Sequence, residues 1–203
     1  MENSTPLIIR AIEFAARKHR MQRRKDADAS PYINHPIALM HALCIDAGVT
    51  DPTILVAAAL HDTIEDTETT GMELEAEFGS VIASLVAEMT DDKSLPKDVR
   101  KRLQIEHAPH MSKEGALVKL ADKICNLRDV AASPPEGWSL ERRQDYFEWA
   151  KAVVDGLPRV NEKLLELFDD AYAKKPAKIA DTVHLGQATA DALNRETGER
   201  TET

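Results

Sequence analysis

Apolar residues recur along this chain at intervals of three and four, and strand-like alternation bounded by hairpin turns is absent. Residues 6–18 predict an amphipathic helix with Leu7, Ile8, Ile12, Phe14 and Ala15 facing inward. Residues 21–30 carry no apolar repeat and predict a loop, after which 32–47 resume a helix that Gly48 ends. Asp51-Pro52 is a helix start, because Asp caps free amides and Pro needs no amide partner in the first turn. The helix that follows is apolar on nearly every side through Val56, Leu60 and Ile64. Residues 72–78 and 80–89 predict two short helices meeting near Gly79. A polar loop over 91–98 leads to a short, cation-rich helix at 99–107. Ser112 caps a long helix over 113–130, whose inward stripe is Leu117, Leu120, Ile124 and Leu127. Segments 139–157 and 159–173 predict two more helices. The expected fold is all-α, a bundle of about eight to ten helices. It occupies residues 1–172, with a mobile or weakly helical tail over 173–203, where large apolar residues run out.

Composition narrows the function. The chain has 203 residues, 43% of them hydrophobic, which suits one domain with a real core. Aromatic residues make up 4%, too few for a base-stacking platform that holds single strands. A net charge of -9 argues against a broad basic face for duplex nucleic acid or an anionic membrane. Cys44 and Cys125 lie in apolar helical patterns outside any CxxC pair, so they read as small buried hydrophobes in a reducing compartment. The longest wholly apolar run, 54–60, is too short to span a bilayer, and no signal-like segment opens the chain. The expectation is a cytoplasmic protein, with its oligomeric state left open and a homodimer among the choices.

The chemistry concentrates where polar groups interrupt apolar helices. His61-Asp62 follows a helix that reads as buried, and a buried charge without a partner costs several kcal/mol. On a continuing helix Glu65 lies one turn beyond His61, and Asp66 one turn beyond Asp62. Asp122 is the sole acidic residue between Leu117 and Leu127, with Asn126 one turn on. His35 opens another apolar helix. Singly, each reads equally well as a helix cap or a satisfied core polar group. Together, two imidazoles and two carboxylates suit a borderline divalent ion such as Mn, Fe or Zn rather than Ca. An incomplete shell would leave room for water and a phosphate ester, with Glu65 and Asp66 orienting that water or taking its proton.

These residues also carry a family resemblance. His35, His61-Asp62 and Asp122 resemble the signature of HD-domain metal-dependent phosphohydrolases. His19-x-x-Gln22-x-Arg24-Lys25, the run from Pro31 to Pro36, Ala59 to Thr67 and Val118 to Asp129 resemble the hydrolase domain of RelA/SpoT proteins. The likeness spans residues 5–172 and leaves no room for the synthetase and regulatory domains of the bifunctional members. The chain is therefore similar to a stand-alone small alarmone hydrolase of the metazoan SpoT-homologue type. The resemblance implies removal of the 3′-pyrophosphate of ppGpp or pppGpp, giving GDP or GTP and pyrophosphate, with one Mn(II) ion. It implies His35, His61, Asp62 and Asp122 as metal ligands and Glu65 and Asp66 as the catalytic pair. It implies Arg24, Lys25, Asn126 and Tyr146 on the nucleoside side, and Lys97 and Arg142 near the phosphates. Met21 stands where the family usually has Gly, and the loop from Asp26 to Ser30 replaces a shorter, Gly-bearing one. Cations cluster in 23–25 and 97–102, which predicts a basic mouth on an acidic body and a small nucleotide partner rather than a polymer. The rival readings are an HD phosphohydrolase for deoxynucleoside monophosphates or the 2′-phosphate of NADPH, and a non-catalytic nucleotide or metal sensor. The Gln22–Lys25 segment favours the alarmone over the first. The paired carboxylates, which a sensor does not need, argue against the second.

Overall fold

The computed structural model describes residues 4–177, and every regular element within them is helical. The order is α1 (Thr5–Lys18), α2 (Asn34–His41), α3 (Pro52–Leu60), α4 (Thr63–Asp66), α5 (Gly71–Phe78), α6 (Ser80–Met89), α7 (Lys97–His107), α8 (Lys113–Ala132), α9 (Leu140–Gly156) and α10 (Glu162–Tyr172). The all-α bundle is as expected. The end of the expected tail, from 178 on, lies outside the described residues.

Helix α3 is the hub. Asp51 accepts a hydrogen bond from the Thr53 amide at 2.8 Å and Pro52 opens the first turn. From there Ile54 to Leu60 are buried without interruption. Helices α1, α2, α6 and α8 pack around it. The run Ala57-Ala58-Ala59 keeps side chains small, so neighbours on several sides can approach the backbone closely. Helix α8 forms the second axis. Its N-terminus is capped by Ser112, whose hydroxyl accepts from the Gly115 amide at 3.0 Å, and it packs against α2, α3, α6, α9 and α10. Ser139 and Asn161 cap α9 and α10 in the same way.

Two stretches depart from the periodicity. The helix predicted over 32–47 starts at Asn34 and widens into a π-helical turn, Ala42–Asp46, before Gly48 (φ +70°) reverses the chain. The helix predicted to run from Pro52 through Ile64 instead stops at Leu60. Asp62 (φ -99°, ψ 0°) leaves the helical path, and the Thr63 hydroxyl donates to the Leu60 carbonyl at 2.6 Å. A side chain that satisfies the backbone locally competes with the helix ladder. Residues 63–66 then form a separate turn, α4.

Helix α7 is different in kind, because none of its residues is buried. It rests on α9, where the Trp149 indole N–H donates to the Lys101 carbonyl at 3.0 Å. It therefore presents a cationic wall rather than a core face.

Because α3 is enclosed, enlarging it should be costly. Ala57→Leu is expected to destabilise the fold by ~1–3 kcal/mol. Urea unfolding followed by far-UV circular dichroism measures this, and an unchanged midpoint would show that α3 is less enclosed than described.

Candidate active site

The break after α3 delivers His61 and Asp62 to the inner end of a cleft, where α2 brings His35 and α8 brings Asp122. The His61 Nδ1–H donates to the Ala58 carbonyl at 2.9 Å, which orients the ring and turns Nε2 toward the cleft. That Nε2 is buried and has no hydrogen-bond partner, although Asp62 Oδ2 lies 2.9 Å away out of line. Ligand atoms of His35, His61 and Asp62 all lie within 4.8 Å of one another. Asp122 Oδ1 is 3.2 Å from His35 Nε2 and 3.9 Å from His61 Nε2, so all four residues converge.

Electrostatics hold the cluster ionised. Burial works against charge on Asp62 and Asp122, yet the imidazoles hold Asp62, and the Lys123 ammonium with the imidazoles holds Asp122, well below the usual range. Burial would also lower His61, but the Asp62 and Asp122 carboxylates push it up to about 8, while burial and the neighbouring His61 push His35 down. Two half-buried carboxylates facing two imidazoles form a donor set of the kind a cation completes. Supporting contacts fix each ligand: the Tyr32 hydroxyl donates to Asp62 Oδ2 at 2.5 Å, and Asn126 Nδ2 donates to Asp122 Oδ1 at 2.6 Å. Lys123 Nζ spans Asp122 Oδ2 (3.2 Å) and Gln104 Oε1 (3.0 Å).

Glu65 and Asp66 stand on α4 rather than on a continued α3, and both line the same 170 Å³ cavity as the four convergent residues. Glu65 Oε2 accepts from the Asp91 amide at 3.2 Å, and Oε1 lies 3.7 Å from Arg100. Burial, helped by Asp62 and Asp91 against that amide, pushes Glu65 up to about 7. Asp66 accepts from Gln22 Nε2 at 2.8 Å and pairs with Lys93.

A wider cavity of about 400 Å³ adjoins this one, and Arg24, Lys25, Lys97, Asn126 and Tyr146 line it. Arg24 and Asn126 line both cavities, joined by a 3.2 Å hydrogen bond, and Arg24 also pairs with Asp129. Tyr146 sits between Trp138 and Trp149, with ring centroids 5.6 and 5.2 Å away. Arg142 stands one layer back, its guanidinium 4.4 Å from the centroid of Trp138, which itself lines the cavity. Burial and the charges of Arg142, Lys25 and Arg100 hold Lys97 below its ordinary value. Cations crowd one another here, a strain that an anionic ligand relieves. In the loop from Asp26 to Ser30, Ala29 takes the left-handed region (φ +46°) that glycine occupies more readily. Asp26 stabilises that bend by accepting from the Ser30 amide and hydroxyl at 2.9 and 2.5 Å.

The cleft contains residues that sequence reasoning left without a role. Lys119 and Lys123 are buried, and lysines beside the sole aspartate of an apolar stripe were the available signal. Gln104 ties α7 to α8 and also donates to Asp91 Oδ2 at 2.7 Å, a link between distant segments that leaves no trace in local spacing.

The HD domain family profile matches residues 11–146. Guanosine-3′,5′-bis(diphosphate) 3′-pyrophosphohydrolase MESH1 of Homo sapiens is 53% identical over 175 residues, covering 86% of this chain and 98% of its own. Its Xenopus tropicalis counterpart is 54% identical over 172 residues, covering 85% and 96%. A solved structure described as a metazoan ortholog of SpoT that hydrolyses ppGpp superimposes with a TM-score of 0.80 at 47% identity, covering 82% of this chain and 94% of that one. The buried histidine–aspartate cluster is thus set in a scaffold shared with these proteins, and the chain belongs to the HD domain family, in the group of the MESH1 hydrolases.

Proposed function

We propose that this chain is a Mn(II)-dependent hydrolase that removes the 3′-pyrophosphate of guanosine 3′,5′-bis(diphosphate), or of its 5′-triphosphate counterpart. The products are GDP or GTP and pyrophosphate. One observation carries the reading: a cation-ready cluster and the half-buried Glu65 carboxyl share a small cavity that joins a larger one walled by cations and aromatic rings. The relatives named for this activity support the choice of substrate. The half-buried Glu65, pushed up to about 7, favours turnover over passive sensing, since a binding site gains nothing from a carboxyl so shifted. No described helix is long and apolar enough to cross a membrane.

His35, His61, Asp62 and Asp122 would hold the ion, and the unpartnered Nε2 of His61 is the atom that most directly asks for one. When bound, a divalent ion there supplies Lewis-acid charge that polarises a phosphoryl oxygen and favours ionisation of water. Glu65 accepts the proton of the attacking water, its pKa lying where a general base works best. Asp66 orients that water. The oxygen attacks the phosphorus attached to O3′, the O3′–P bond breaks, and O3′ is protonated. Arg24, Lys25, Asn126 and Tyr146 hold the nucleoside, and Lys97 and Arg142 offset the charge of the phosphates in the transition state.

Chelation should stop the reaction and Mn(II) should restore it. Asp122→Ala should retain little metal by elemental analysis and lose turnover, and full metal content in that variant would remove Asp122 from the ligand set. The pH profile tests Glu65. Burial raises its pKa, so the carboxyl protonates and stops accepting protons as the pH falls through that value. A neighbouring cation lowers the value, so kcat should decline at acid pH with an apparent pKa at or below about 7. Glu65→Gln should lower kcat by ~10² or more and flatten that limb while metal content holds. An unaltered acid limb in the variant would assign it to another group.

A further inference from the structure

The motif His19-x-x-Gln22 precedes the basic segment, and the mechanism above gives it no task. In the structure these two side chains run in line to Asp66. Gln22 Nε2 donates to Asp66 Oδ2 at 2.8 Å, and Gln22 Oε1 lies 2.6 Å from His19 Nδ1. The direction of each bond follows from chemistry. An ionised carboxylate only accepts, so the NH₂ end of Gln22 must face Asp66. The carbonyl end then faces His19 and only accepts, so His19 Nδ1 must carry a proton.

The chain is anchored at its far end. His19 is 2% exposed and stacks on Tyr32, with ring centroids 4.7 Å apart. Tyr32 in turn donates to the proposed ligand Asp62. Its Nε2 is buried with no partner, so His19 works as a donor through Nδ1 alone. The backbone fixes the turn on both sides: the Gln22 amide donates to the His19 carbonyl at 2.8 Å, and the Tyr32 amide donates to the Gln22 carbonyl at 3.2 Å. On the other side of Asp66 stands Lys93, whose side chain is 49% exposed. An exposed cation orients weakly, because solvent screens it and its side chain is free to move.

We infer that His19 and Gln22 are positioning residues for the hydrolysis, a two-membered chain that sets the rotamer of the Asp66 carboxylate. This rests on the proposal that Asp66 orients the attacking water. With the Gln22 amide locked by His19, Asp66 keeps Oδ2 fixed and leaves its other oxygen to an exchangeable partner. Without the chain, the carboxylate follows Lys93 and solvent.

The test is steady-state hydrolysis of ppGpp with Mn(II) by the full chain, with metal content and unfolding midpoint measured on the same preparations. Gln22→Met keeps the length and removes both polar ends. It should lower kcat roughly tenfold with little change in KM, because the lost bond acts on the reacting geometry and not on nucleotide binding. His19→Phe keeps the ring stack and should show the same split. His19→Asn replaces Nδ1 by an amide donor at the same distance from the backbone and should recover most of the rate. In the Asp66→Asn background, Gln22→Met should cost nothing further, the signature of residues acting as one unit. Parental kcat in Gln22→Met and His19→Phe, alongside a slow Asp66→Asn, would overturn the inference and leave the role of Asp66 standing. Losses that multiply in the double variant, or an equal loss in His19→Asn and His19→Phe, would also overturn it. A parental rate in Asp66→Asn would instead remove the reading on which it rests.

Discussion

Helix α3 is buried on all sides from Ile54 to Leu60, so the chain must turn polar inside the protein when that helix ends. His61 is buried there, and the Asp62 side chain keeps only a fifth of its surface exposed, at the inner end of the cleft. Leaving either charged and alone would cost several kcal/mol, a large share of a domain's net stability. Most of the cleft can be understood as the response. His35 and Asp122 arrive from α2 and α8 to meet them, Tyr32 and Asn126 donate to the carboxylate oxygens that face the imidazoles, and Lys123 balances Asp122. What remains open is the inward Nε2 of His61, and that opening is where the chemistry is proposed to lie.

The molecule keeps this interior apart from its mouth. The core helices α3 and α8 place the convergent residues, and rigidity there suits atoms that must hold position to fractions of an ångström. Helix α7 carries Lys97, Arg100 and Lys101 on a face with no buried residue, held through Gln104 and through the indole of Trp149. A net charge of -9 therefore coexists with a cationic wall, since the wall is one helix and one loop while acidic residues spread over the rest. Such a distribution draws a small polyanion to one place and discourages nucleic acid elsewhere.

Much of this was legible in the sequence, for physical reasons. The stripe of α8 and the enclosed run of α3 follow from apolar spacing, and Asp51, Ser112 and Ser139 act as caps because their side chains accept amide protons wherever such termini occur. The four convergent residues stood out because each breaks an apolar pattern. The stop at Leu60 did not stand out, since it turns on a single hydroxyl bond from Thr63. The π-helical turn after His41 left no sign in the spacing either. Lys119 and Lys123 pass for surface residues by type, and their place beside Asp122 in an apolar stripe is the one local sign that α8 buries them. The guanidinium of Arg142 lies over the Trp138 ring, a contact that leaves no mark in the local spacing.

One divalent ion is proposed to be held by residues from three separate helical segments at the end of α3. The most direct measurement is an anomalous difference map from crystals of the full chain soaked in Mn(II). A single strong peak is expected in contact with His61 Nε2, His35 Nε2 and the carboxylates of Asp62 and Asp122. A peak elsewhere, or no peak in crystals that hydrolyse ppGpp, would contradict it.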